Sequence, residues 1–158
     1  MPDETTRLDA LLTHNRLLSE SDKADALVRT VPAIFVWPGT GSTMEEILSD
    51  PQAGLIIGTT LTADRMFKYE EGELLGKPIE TLVPVRFRAN HKMYFAGFAL
   101  KPIKRMMGTG KEELYGLDRD GSEFRVEIAL EQKLVNRQKT IIAVIQFARA
   151  KTDVPKAT

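Results

Sequence analysis

The segment Leu-Asp-Arg-Asp-Gly-Ser-Glu-Phe-Arg-Val-Glu-Ile-Ala-Leu-Glu, residues 117–131, decides the fold class. Its second half alternates apolar with mostly polar side chains, which is the pattern of a β-strand with one buried face. The apolar positions are Phe124, Val126, Ile128 and Leu130. The Asp120-Gly121 pair before them is typical of a tight turn between antiparallel strands. We therefore expect a hairpin whose first strand is Glu113–Leu117.

The sequence on either side of this hairpin predicts an α+β domain with a five-stranded antiparallel sheet. A turn at 136–139 leads to an apolar last strand at 140–148, and two further apolar runs of strand length lie at 33–37 and 53–60. Short helices are predicted at 42–48, which has a capping signature, and at 62–69 and 70–75. A short turn is predicted at 78–83, and a longer helix at 85–100, which ends before Pro102.

Residues 1–30 are predicted to form an N-terminal helical arm, because Leu8, Leu11, Leu12 and Leu18 recur at helical spacing. Such an apolar stripe must pack on something, either on its own domain or on a second subunit as a dimer seam, and it fits both. We expect the main domain to span residues 31–150, and residues 151–158 to form a disordered tail.

The composition excludes several kinds of chemistry. The 158 residues include no cysteine and only two histidines, and 22 basic residues balance 22 acidic ones. No disulfide, iron–sulfur cluster, thiolate zinc site or cysteine nucleophile can form. No carboxylate pair, metal-ligand cluster or nucleophile–base arrangement has a useful spacing, so we do not expect an enzyme. The acidic N-terminus lacks the features of a signal peptide, and no apolar run approaches the ~20 residues of a membrane helix, so a cytoplasmic protein is expected.

Six short motifs follow one another along the chain. They are Phe67-Lys68-Tyr69, Glu73-Leu74-Leu75-Gly76-Lys77, Leu82-Val83-Pro84 followed by Arg86, Arg88 and His91, Met107-Gly108-Thr109-Gly110, Asp120-Gly121-Ser122-Glu123-Phe124 with Val126-Glu127-Ile128, and Ala143-Val144-Ile145. Together and in this order they resemble the motifs of PAS domains. The resemblance covers residues 53–148 well and 31–37 plausibly. It departs from the family pattern at Thr60, where the family has Asn, and at Lys68, where it has Gly. The tight turn between the family's first two strands is replaced here by an insertion at Pro38–Gln52.

PAS membership implies a sheet with small helices on one face, enclosing a pocket for a ligand. It also implies that an N-terminal helix or a second subunit meets the other face, which is the place expected for the arm at 1–30. Light sensing through a cysteinyl flavin adduct is excluded, since the chain has no cysteine.

His91 stands where haem-binding PAS domains carry the proximal ligand of the iron, so the resemblance implies a haem b site as an alternative. The implied cofactor-binding residues are His91, Phe87, Tyr94, Phe95, Phe98, Met106, Lys111 and Ile128. A histidine on an apolar helix face is also typical of a core residue that makes one hydrogen bond, and this simpler interpretation stays open.

The charge is unevenly distributed although its total is zero. Residues 81–111 contain seven basic side chains and no acidic one: Arg86, Arg88, Lys92, Lys101, Lys104, Arg105 and Lys111. Such a surface could meet phosphate or an acidic partner, whereas a solvated helix face is the simpler interpretation. No base-reading motif accompanies it, so nucleic acid is not an expected partner, and neither is a membrane.

Three functions therefore compete. The first is a PAS sensory or adaptor domain in signal transduction that acts through ligand- or partner-dependent association, as a homodimer or with a signalling protein, through its arm and sheet face. The second is a gas or redox sensor that binds haem through His91. The third is a structural module in a larger assembly, for which the insertion at 38–52 would provide a dedicated contact.

Overall fold

The computed structural model describes residues 31–149, so the predicted arm at 1–30 and tail at 151–158 lie outside the described residues. The strands are β1 (Ala33–Val36), β2 (Ile56–Thr59), β3 (Arg105–Met107), β4 (Leu114–Leu117), β5 (Glu123–Val135) and β6 (Gln138–Phe147). The helices are α1 (Met44–Leu48), α2 (Leu61–Met66) and α3 (Arg88–Leu100), with 3₁₀ helices at Ile79–Leu82 and Val85–Phe87. Among residues 31–149 we find no helix long and apolar enough to cross a membrane.

All strand pairs are antiparallel, in the order β2-β1-β6-β5-β3, and β4 also pairs with β5. The predicted α+β class is thus confirmed, with six strands where five were expected. The extra strand is β3, which lies end to end with β4 along the same edge of β5. Its residues stand opposite Ile128–Leu130, whereas those of β4 stand opposite Glu123–Val126.

One face of the sheet, the inner face, packs against the helices. The alternation of β5 places Val126, Ile128 and Leu130 on this face, where Ile128 stands opposite Ile145 of β6. The main apolar cluster joins these strands to helical residues such as Ala63 and Phe98. The period-two pattern read from the sequence therefore identifies the face that carries the core.

The outer face of the sheet carries a second apolar cluster, whose members among residues 31–149 all lie in strands. It consists of Ala33, Phe35, Val135 and Ile142, with Val144 packed against them. β1 accordingly has every residue buried, because Ile34 and Val36 belong to the inner cluster. This explains the continuous apolar run of β1, since a strand covered on both faces needs no polar positions.

The predicted helix at Glu70–Leu75 is wrong, because this segment forms a series of turns. Gly72 has a φ of 81°, which interrupts helical geometry. The Glu73 carboxylate also accepts a hydrogen bond from the backbone N–H of Glu70 at 2.9 Å. That contact is of the capping-box kind and does not by itself oppose a helix, so the positive φ of Gly72 is what ends helical geometry here.

The insertion at 38–52 is a loop whose two ends are joined by backbone hydrogen bonds. The backbone N–H of Trp37 donates to the carbonyl of Leu55 at 3.0 Å, and the carbonyl of Trp37 accepts from the N–H of Gly54 at 2.8 Å. Its short helix α1 has the predicted capping box: Thr43 accepts from the N–H of Glu46, and the Glu46 carboxylate accepts from Ser42. Helix α1 packs against α3, so the insertion is part of the folded domain.

Candidate functional site

The centre of the candidate site is an ion cluster between the first 3₁₀ helix and α3. Glu80 is only 6% exposed, and its Oε2 lies 2.7 Å from Nδ1 of His91. Its Oε1 lies 3.4 Å from Nζ of Lys92. An ionised carboxylate can only accept hydrogen bonds, so Nδ1 of His91 carries the shared proton. His91 is therefore a half-buried side chain with one strong hydrogen bond.

The pKa of Glu80 is lowered from its ordinary value of 4.5. Burial by itself would raise it, but the hydrogen bond from His91 and the positive charges of His91 and Lys92 outweigh the burial. The charged form of Glu80 thus connects the first 3₁₀ helix to α3. Sequence analysis missed this residue, since nothing in the spacing of Glu80 and His91 indicates contact.

The implied cofactor-binding residues divide between the core, the surface and the outer face. Phe98 is buried, and Phe95 and Ile128 pack against the same main cluster. Met106 stands opposite Ala129 on β5, one position away from the inner-face residue Ile128, and is 53% exposed. A shift of one residue along a strand moves a side chain to the other face.

Three other implied residues lie at the surface. Tyr94 is 67% exposed and Phe87 is 39% exposed. Lys111 is also exposed, in the loop between β3 and β4. Only part of the apolar face predicted for the helix at 85–100 therefore contacts the core. A stripe defined by 3.6-residue spacing also includes positions at its edge, and these are exposed.

The basic side chains of residues 81–111 are partly neutralised. Arg86 makes a two-pronged ion pair with Glu123, with N–O distances of 2.6 and 2.8 Å. Lys92 meets Glu80, and Lys104 lies 3.7 Å from Glu131. Within residues 31–149, Lys101 and Arg105 have no acidic partner within ion-pair distance. Lys101 and Arg105 thus leave positive charge without an ion pair at the end of α3.

The geometry of sheet and helices is that of known structures. No family model matches the sequence. The PAS domain of an HTR-like protein from Haloarcula marismortui superposes with a TM-score of 0.61 at 19% identity, covering 83% of this chain and 99% of that one. The chain has a PAS fold. A PAS domain from a two-component sensor histidine kinase gives a TM-score of 0.57 at 11% identity, covering 82% and 97% of the two chains. A light-oxygen-voltage domain described with a flavin analogue gives 0.51 at 12% identity, covering 81% and 85%.

Local contacts accommodate Lys68 and Thr60, the two residues at which the chain departs from the family motifs. Lys68 has a φ of 65°, a conformation that favours glycine, and its Nζ lies 3.3 Å from Asp118 and 3.4 Å from Asp120. Thr60 is buried and accepts hydrogen bonds from Ala33 and from Ala63 at the start of α2. It thereby connects β1 to the first helix after β2.

The residues of this PAS fold do not fit haem. A haem between α3 and the sheet would need the implied cofactor-binding residues to surround a single pocket. Met106 instead lies on the opposite face of the sheet, and Tyr94 and Lys111 are exposed. The inner face between them is occupied by the packed main cluster. In the part of the chain that the structure describes, no group of three or more His, Asp or Glu side chains could hold a metal ion.

Proposed function

We propose that this chain is a sensory or adaptor PAS domain in signal transduction, and that it acts by association through the outer face of its sheet. The observation that carries the proposal is the outer apolar cluster, whose residues Phe35 and Ile142 are only 2% and 4% exposed although no helix among residues 31–149 belongs to the cluster. Similar folds occur in a sensor histidine kinase, as the name of that relative states. The fold is compatible with many functions, so the surface carries the argument.

The outer cluster has a polar border that favours a defined partner. Glu127 is 5% exposed and accepts a hydrogen bond from Gln146 at 2.9 Å. It also accepts from the N–H of Arg149 at 3.3 Å. Hydrogen bonds from Gln146 and Arg149 lower the pKa of Glu127, against the effect of burial. A satisfied polar border around an apolar centre is typical of association surfaces.

The occupant of this surface, in our proposal, is the arm at 1–30, from the same chain or from a second copy. Its Leu8, Leu11, Leu12 and Leu18 stripe supplies apolar side chains for Phe35, Ile142 and Val144. A ligand or signalling partner would act by favouring one packing of arm on sheet over another, which requires different contacts in the two states.

The test compares the oligomeric state and partner binding of the full chain with those of Leu12→Glu. Native mass spectrometry and sedimentation should show a dimer or a complex that the variant weakens, because a buried carboxylate opposes apolar packing. Leu134→Glu is the matched control, since Leu134 is already 51% exposed. A full chain that stays monomeric at high concentration and retains no signalling protein in a pull-down would refute the proposal.

The insertion supports a structural module as the second candidate. Backbone hydrogen bonds join its two ends, its helix α1 is capped, and α1 packs on α3. Within the described residues the insertion is therefore an ordered surface element. Replacing residues 40–51 by a short glycine linker should abolish assembly but leave ligand binding intact if this function holds. Loss of both, or of neither, would count against it.

The haem alternative has one favourable feature, the carboxylate beside Nδ1 of His91, an arrangement found for metal-ligating histidines. The dispersed implied contacts speak against it. The absorption spectrum of the purified chain distinguishes the alternatives: haem binding requires a Soret band that His91→Ala removes, and a colourless protein that takes up no added hemin contradicts it.

A further inference from the structure

One exposed side of α3 carries no charged side chain along the 13 residues of the helix, whereas the 61%-exposed Lys92 lies on another side, beside Glu80. It consists of Ala89, Asn90, Met93, Tyr94, Gly97 and Leu100, spaced as one side of a helix. Met93, Tyr94 and Leu100 are 51%, 67% and 36% exposed. Solvent-facing helix sides normally carry charged residues, so an apolar one calls for a partner. We call these six residues the α3 face.

The middle of the α3 face is a shallow gap. A Cβ added at Gly97 would meet no heavy atom within 4 Å. The long side chains of Met93 and Tyr94 lie one helical turn before Gly97, and that of Leu100 lies one turn after it. Such an arrangement lets the backbone of a second helix approach closely, as ridges fit into grooves. The face is roughly 20 Å long, which accommodates a helix of similar length.

The charge around the α3 face is positive at its C-terminal end. Lys101 follows the helix directly, and Lys104 and Arg105 come after Pro102 and Ile103. All three basic side chains are exposed, and Ile103 is 62% exposed. Among the described residues Lys101 and Arg105 lack an acidic partner within ion-pair distance, and residues 81–111 contain no acidic residue. Cations around an apolar strip attract a partner whose apolar strip is bordered by carboxylates.

We propose that the α3 face binds an amphipathic helix of a partner protein, with apolar residues at helical spacing and Asp or Glu on its flanks. The gap at Gly97 favours a helix over an anionic lipid surface, because a bilayer gains nothing from close backbone approach. This surface is distinct from the outer face of the sheet, so it goes beyond the proposed function and gives a separate route for output. Failure of one does not decide the other.

The probe is a labelled synthetic helix as long as α3, with Leu at positions i, i+3, i+4 and i+7 and Glu on both flanks. Its matched control has Lys in place of every Glu. Fluorescence anisotropy with the full chain should show saturable binding of the acidic peptide, weakened at high salt. The basic peptide should bind at least about tenfold more weakly, because like charges would meet Lys101 and Arg105.

Three variants test the assignment. Tyr94→Glu and Lys101→Glu should each weaken the acidic peptide about tenfold or more, and Leu134→Glu should leave it unchanged. Gly97→Leu fills the gap and should weaken the peptide although a helical Gly replacement stabilises the fold by about 1 kcal/mol. Circular dichroism and thermal unfolding verify that each variant is folded. If a glutamate variant is not folded, Lys101→Ala takes its place and should likewise weaken the acidic peptide.

Vesicles of equimolar phosphatidylcholine and phosphatidylserine provide the competing outcome. If vesicles bind and Gly97→Leu strengthens that binding while the acidic peptide does not bind, the surface is a lipid contact and the proposal is overturned. Equal binding of both peptides, or binding that Tyr94→Glu leaves intact, overturns it as well. Peptide binding that is lost in the α3-face variants alone supports it.

Discussion

Replacing Glu80 by Gln tests whether the Glu80–His91 contact stabilises the fold. The substitution keeps the shape and one hydrogen-bond acceptor for Nδ1 of His91 but removes the charge. A hydrogen bond to a charged group contributes about 1.5–3 kcal/mol and a neutral one about 1 kcal/mol, so we expect a loss of about 0.5–2 kcal/mol. The pair with Lys92 adds little, because the Lys92 side chain is 61% exposed.

The pH dependence of this loss has a defined sign. The pKa of Glu80 is lower in the folded protein than its ordinary value of 4.5. Its carboxylate therefore stabilises the fold at pH values above 4.5 and loses that effect as the pH falls through the lower folded value. Gln does not titrate in this range. The difference in unfolding free energy between the wild-type protein and Glu80→Gln should thus shrink as the pH falls below 4.5.

Urea unfolding of the full chain, followed by circular dichroism from neutral to acidic pH, measures this difference. The matched control is Glu112→Gln, since Glu112 is exposed and the structure shows no contact of its carboxylate. A double-mutant cycle with His91→Gln separates the pair from other effects. A coupling free energy near zero, or a difference that grows as the pH falls below 4.5, would refute the reasoning.

Two further variants test the packing of the fold. Gly116→Ala places a Cβ 2.9 Å from Cε1 of the buried Phe67, so we expect a loss of about 1–3 kcal/mol in urea unfolding, whereas Gly110→Ala, with nothing within 4 Å, should change little. Equal stability of the two variants would contradict the observed packing on β4. Thr43→Ala removes the N-cap of α1 and should cost about 1 kcal/mol if the insertion unfolds together with the domain. An unchanged midpoint would mean that α1 unfolds independently, and Ser42→Ala, which leaves the cap in place, is its control.

Local patterns predicted most of the sheet, because strand periodicity and turn residues act over a few positions. The alternation at 124–130 identified the inner face of β5, and Asp120-Gly121 and Asn136–Lys139 identified both hairpin turns. The capping box at 42–46 likewise predicted the start of α1. The helix predicted at 70–75 is absent because the positive φ of Gly72 interrupts helical geometry.

The candidate site was less predictable, since it depends on register and on contacts between distant segments. Met106 and Met107 are neighbours with similar side chains, and only the pairing of β3 with β5 assigns them to opposite faces. The contact of Glu80 with His91 joins two helices across eleven residues. Neither is encoded in a period or a spacing.

The sequence by itself determined the α+β class, the order of motifs that resembles PAS domains and the chemistry that zero cysteine excludes. These follow from composition and from short-range rules, in which each residue acts on its neighbours. Only the tertiary structure decided which side chains meet: it paired His91 with Glu80, placed Met106 outside the core and left the α3 face without charge. Those outcomes depend on how the sheet pairs and how α3 lies against it, and chain segments that are far apart in sequence set both.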